Sequence, residues 1–130
     1  MNKNSKMNKM NLTISSIGKL YTLMMVDPDA PIPESPLIAP FVHHLVVNIP
    51  GPLVPAGKSL INYFQPTVPP GSHFHRIVML VFEQKSRIHH ESVSAMNFNL
   101  QQFIKLHKLG IPVAGNFFYS KFYVTRKVIC

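Results

Sequence analysis

A chain of 130 residues, 46% hydrophobic with nine Phe and only 14% charged, has material for one packed core and excludes disorder over most of its length. Thirteen Lys plus Arg against five Asp plus Glu give a formal charge of +8, which favours an anionic partner but cannot choose among phospholipid, nucleic acid and acidic protein. Twelve Pro and six Gly exclude long helices from most of the sequence, and the single Cys, Cys130, excludes an intramolecular disulfide.

Residues 1–18 are polar and rich in Lys and Asn, and read as a disordered basic segment. That segment holds no apolar run of signal-peptide length, and the chain holds no run of about 20 apolar residues that would span a bilayer. A soluble, cytoplasmic protein is expected. Lys3, Lys6 and Lys9 suit weak, salt-sensitive contact with an anionic membrane surface. A folded domain is expected over 19–124, followed by a short tail, 125–130.

Leu20 to Val26 form a short apolar run stopped by Asp27-Pro28, the pattern of a buried strand. The five prolines of 27–42 make the next segment a stiffened loop. A second strand is expected over 43–49, ended by Pro50-Gly51-Pro52, then turns with a brief strand or helical turn near 59–64. The uninterrupted apolar run from Ile77 to Phe82 predicts a strand over 76–83 with both faces covered. Leu100, Phe103, Ile104 and either Leu106 or His107 recur at helical spacing before Gly110 and Pro112, predicting one helix over 97–109. An aromatic strand is expected over 116–124.

Rare polar side chains border these strands. Asp27 and Asp29 end the first, while His43, His44, His73 and His75 flank the next two. If the strands are neighbours, a carboxylate meets imidazoles at one end of a sheet and favours their charged form, which suits a phosphate-type anion. The competing reading is plainer: Asp before Pro starts turns, and a His beside an apolar strand is commonly a hydrogen-bonded rim residue. A zinc site using His73 and His75 is a third reading, but no cysteine or HExxH spacing supports a metal.

Four blocks narrow the choice: DPDAP (27–31), FVHHLVVNIPG (41–51), HRIVMLVFEQ (75–84) and GIPVAGNFF (110–118). In order and spacing they resemble the signature blocks of the phosphatidylethanolamine-binding protein family, over about Lys19 to Phe122. The resemblance implies a mainly β fold, with a central antiparallel sheet packed on a smaller sheet. It also implies a small cavity for phosphate or phosphoethanolamine-like anions, with no cofactor. In that likeness Asp27 orients an imidazole and keeps it protonated, His43 and His75 hold the anion, and Pro31 and Phe41 border the cavity. Asp29 and Arg76 tie two loops together, while His44 packs. The bonds Ala30–Pro31 and Ala39–Pro40 match places where the family has cis peptides.

Two positions depart from the pattern. Thr67 stands where a glycine backbone often contacts the anion, and Ile77 where a Tyr hydroxyl often donates, so a weakened pocket is expected. The family's early strands and terminal helix are also missing or replaced, which makes the chain look truncated at both ends.

The resemblance therefore implies a non-enzymatic binder of anions and phospholipid head groups that regulates or scaffolds signalling proteins, as relatives inhibit kinases or proteases. The alternatives are a degenerate member without a competent pocket, or a hydrolase using the Asp/His site. Ser72 lacks an activating motif for the latter. Nucleic acid is disfavoured because the basic residues are spread along the chain and match no recognised module.

Overall fold

The computed structural model describes residues 18–32, 34–66, 74–89 and 91–120. Five strands, β1 (Leu20–Asp27), β2 (Phe41–Pro50), β3 (Lys58–Ile61), β4 (His75–Glu83) and β5 (Ala114–Ser120), form one sheet in the order β3-β2-β1-β4-β5. Every neighbouring pair is antiparallel. One helix, α1 (Leu100–Leu106), follows β4, and a single 3-10 turn (Val54–Ala56) precedes β3. No helix among the described residues is long and apolar enough to cross a membrane.

The mainly β antiparallel class with one short helix is as the sequence predicts. The centre of the sheet differs. β1 takes the middle place, with Met24 paired to Leu45 on one side and Leu80 on the other. β4, expected to be covered on both faces, has Val78, Met79, Leu80 and Val81 only half-buried. Its outer neighbour β5 is largely exposed, so little is stacked over that side of the sheet.

Side chains alternate across the sheet and separate two apolar clusters. The larger joins Met24, Val26, Val42, Leu45, Val47 and Phe82 to Ile88, Phe98, Phe103 and Leu109. The layer over this face is therefore α1 and the loop before it. The described residues form no second sheet, because 84–99 is polar and lacks the alternation a strand needs. The smaller cluster, Tyr21, Val46 and Ile49, lies on the opposite face with Leu23 and Val81. By alternation Asp27 shares the face of Leu23, and His75 that of Val81, so both stand on the side away from α1.

The helix is shorter than 97–109 because its first turn is replaced by a cap. Asn97 adopts φ 50° and donates through its amide to the Leu37 and Ala39 carbonyls, tying the segment to the proline loop. Asn99 then accepts from the Gln102 amide at 3.0 Å. Gly110, at φ 70°, stands after the helix end as its sequence position predicts. Of the two candidates for the last apolar-face position, Leu106 is exposed, whereas His107 packs against Phe103 with ring centroids 4.5 Å apart and the planes tilted by 57°.

The expected brief strand near 59–64 is β3, which begins one residue after Gly57. A Cβ at Gly57 would fall 2.7 Å from both Ile49 Cγ1 and Val46 Cγ1, so only glycine lets this backbone rest on β2. The last strand begins two residues before the expected 116, and positions 121–124 lie outside the described residues, as do 1–17 and the tail 125–130.

Candidate anion-binding site

Asp27 closes β1, His43 lies near the start of β2 and His75 opens β4, and the sheet register gathers all three at one end. Each is at least nine-tenths buried. His75 Nδ1 stands 3.0 Å from Asp27 Oδ2 and donates to it, while Oδ1 accepts the Asp29 amide at 2.8 Å. His43 Nε2 lies 3.8 Å from the same Oδ2, close enough for attraction between charges but too far for a hydrogen bond.

The other nitrogen of His43 is committed. Nδ1 lies 2.9 Å from the Phe64 carbonyl oxygen, which can only accept, so Nδ1 carries a proton. Nε2 is buried with no hydrogen-bond partner. Buried polar atoms are nearly always satisfied, so an atom of this kind marks a place where water or a ligand completes the structure.

Burial would raise the Asp27 pKa, but the nearby imidazoles of His43 and His75 and the Asp29 amide outweigh it, and the carboxyl is held below its usual value. Asp29 is also held down, chiefly by the Arg76 guanidinium. Arg76 grips it as a fork, Nη2 to Oδ1 at 2.9 Å and Nε to Oδ2 at 3.1 Å, and the Arg76 backbone amide adds a third bond at 2.9 Å. This is the expected tie between the loop after β1 and the start of β4.

Phe41 sets its ring edge-on to His43, with centroids 4.8 Å apart. Pro31 is half-buried in the adjoining loop, and both Ala30–Pro31 and Ala39–Pro40 are cis. His44 packs against Tyr63, and burial lowers its pKa. Ile77, where a hydroxyl was expected to be lost, is buried in the sheet and supplies no donor. Thr67, Ser72 and His73 lie outside the described residues. Among the described residues no group of three or more His, Cys, Asp or Glu is arranged to hold a metal ion.

Phe64 is the participant that sequence reading missed. It contributes its carbonyl to His43 and stacks its ring near the imidazole at 6.2 Å, with an interplanar angle of 20°. Its position at the end of the expected 59–64 element was the one available signal.

An antiparallel sheet that buries an aspartate between two histidines at its rim, flanked by a proline loop, defines a class of small β domains. Residues 4–118 match the profile of the phosphatidylethanolamine-binding protein family, and the chain belongs to that family. It is 39% identical to Protein MOTHER of FT and TFL1 homolog 2 of Oryza sativa subsp. japonica and 37% identical to Protein FLOWERING LOCUS T of Arabidopsis thaliana, each match covering 78% of this chain. The chain spans only 60% and 58% of those relatives' lengths. Among solved structures, the CG7054 solution structure is 34% identical with a TM-score of 0.67, covering 79% of this chain and 63% of that one. The carboxypeptidase Y inhibitor, solved with its cognate proteinase, shares the fold at a TM-score of 0.73 and 24% identity, covering 87% of this chain and 65% of the inhibitor.

Proposed function

We propose that this chain is a non-catalytic binding domain of the cytoplasm that holds a phosphate-type anion, free or as a phospholipid head group, between His43 and His75. The anion-loaded domain acts by engaging protein partners, with kinases and proteases the leading classes. The observation that carries the reading is the buried, unpartnered Nε2 of His43 beside an ionised Asp27. A protonated imidazole nitrogen is the donor a phosphoryl oxygen accepts from. The solved complex of the carboxypeptidase Y inhibitor with its proteinase lends support to a protein partner, by analogy of fold alone.

No described residue near the triad has the geometry of an activated nucleophile, and the Asp27–His75 pair is accounted for by structural hydrogen bonding. The test is imidazole nitrogen NMR during titration with phosphate and with phosphoethanolamine. The His43 and His75 signals are expected to move while the fold stays intact. Absence of movement at millimolar ligand would remove the reading and leave a family member without a competent pocket. Comparable shifts with both ligands would indicate recognition of the phosphoryl group alone, and a stronger response to phosphoethanolamine recognition of the head group.

A further inference from the structure

We propose that the site takes up its oxyanion together with a proton, which is gained by His43 Nε2. This rests on the reading of the triad as an oxyanion site and adds a condition to it. His43 Nδ1 faces the Phe64 carbonyl at 2.9 Å and must carry hydrogen in every protonation state, so Nε2 is the atom at which this ring titrates. In the free protein no hydrogen-bond acceptor holds a proton there: Nε2 has no hydrogen-bond partner, and Asp27 Oδ2 at 3.8 Å attracts a charged ring without bonding to it. Asp27 is already bonded without it, Oδ2 accepting from His75 Nδ1 and Oδ1 from the Asp29 amide.

Counting charges gives the direction. Asp27 brings one negative charge into a buried site, and a single imidazolium only cancels it. A net positive charge requires both imidazoles to be protonated. An unprotonated Nε2 also presents a lone pair to the oxyanion, where a donor is needed. Among the described residues the titratable and charged neighbours are few. β1 supplies Asp27, β4 supplies His75, and Phe41 and the Phe64 segment bring aromatic rings. Asp29 and Arg76 close on each other, and His44 turns to Tyr63. None of these replaces the missing proton.

Sulfate is the suitable probe, because its charge is constant where imidazoles titrate, whereas phosphate changes its own. Calorimetric titration of the folded chain with sulfate, in buffers of different ionisation enthalpy from about pH 6 to 8, is expected to show proton uptake that grows with pH toward one per anion. Affinity should fall by about tenfold per pH unit on the alkaline side of the His43 transition. The 15N shift of His43 Nε2 should move to its protonated value on saturation. In His43→Gln the side-chain amide is a permanent donor, so proton uptake should vanish even where weak binding survives. Should that variant not fold, the wild-type nitrogen shift decides alone. Sulfate binding with flat affinity and no proton uptake overturns the inference and leaves the oxyanion reading standing. Failure of sulfate to bind at any pH overturns both.

Discussion

Asp27 and Asp29 stand two residues apart and are both held ionised, by different partners: buried imidazoles for the first, an arginine fork for the second. A carboxylate whose pKa is lower in the folded chain contributes stability that is fully present above its unfolded value, about 4, and is lost as pH falls through the folded value. Urea unfolding from neutral pH downward should therefore show stability declining below about pH 4, with the decline reduced in Asp27→Asn and Asp29→Asn. An unchanged slope in both variants would contradict the assignment. The Asp29–Arg76 tie is asymmetric, because Asp29 also satisfies the Arg76 backbone amide and Arg76 is largely solvated. Asp29→Ala should cost about 1–2 kcal/mol, and Arg76→Ala should shift the denaturation midpoint by visibly less. Asp27, His43 and His75 were legible from their motifs because it is their side chains that meet at the sheet rim. Phe64 was not, since its bond to His43 uses a carbonyl that every residue type possesses.

At the other end of the sheet from the triad, β1, β2 and the segment after β4 are joined by a buried polar network. Gln84 Oε1 accepts from the Thr22 hydroxyl at 2.7 Å and the Asn48 amide at 2.8 Å, and Gln84 Nε2 donates to Asn48 Oδ1 at 2.9 Å. Asn48 in turn donates to the Ile88 carbonyl at 2.7 Å and accepts the Ile88 amide at 2.8 Å. The backbone of Asn48 sits at φ 57°, a left-handed conformation that asparagine tolerates better than most residues. Asn48→Ala and Gln84→Ala should each cost about 2–3 kcal/mol, and a double-mutant cycle should return a coupling of about 1–3 kcal/mol, measured by chemical denaturation. Strict additivity would show that the two side chains do not act as one unit. β1 and β2 were readable from short apolar runs ended by proline, and β4 from its unbroken apolar run. Their order was not, because pairing β1 to β4 across more than fifty residues is a tertiary choice that local pattern does not encode.

Across the whole molecule, the two edges of the sheet differ. β3 is four residues long and lies against β2, whereas β5 runs Ala114–Ser120 without a charge or a proline and exposes Phe117, Phe118 and Tyr119. Native proteins usually blunt such an edge, and an uncharged aromatic one invites association. Concentration-dependent light scattering is therefore expected for the isolated chain, and Phe117→Lys should reduce it without altering the melting curve by more than a degree or two. Scattering unchanged by that substitution would place the association elsewhere. The apolar helix face and the single-core size were visible in composition and spacing, but the exposure of β5 was not, because its aromatic run reads the same whether covered or bare. Asp27 ends the middle strand of five, between β2 and β4, whereas the described residues of the loop 28–40 beside it carry few ladder bonds. Sequence drift in that stretch can reshape the surface beside the rim while the buried ionic centre keeps its place.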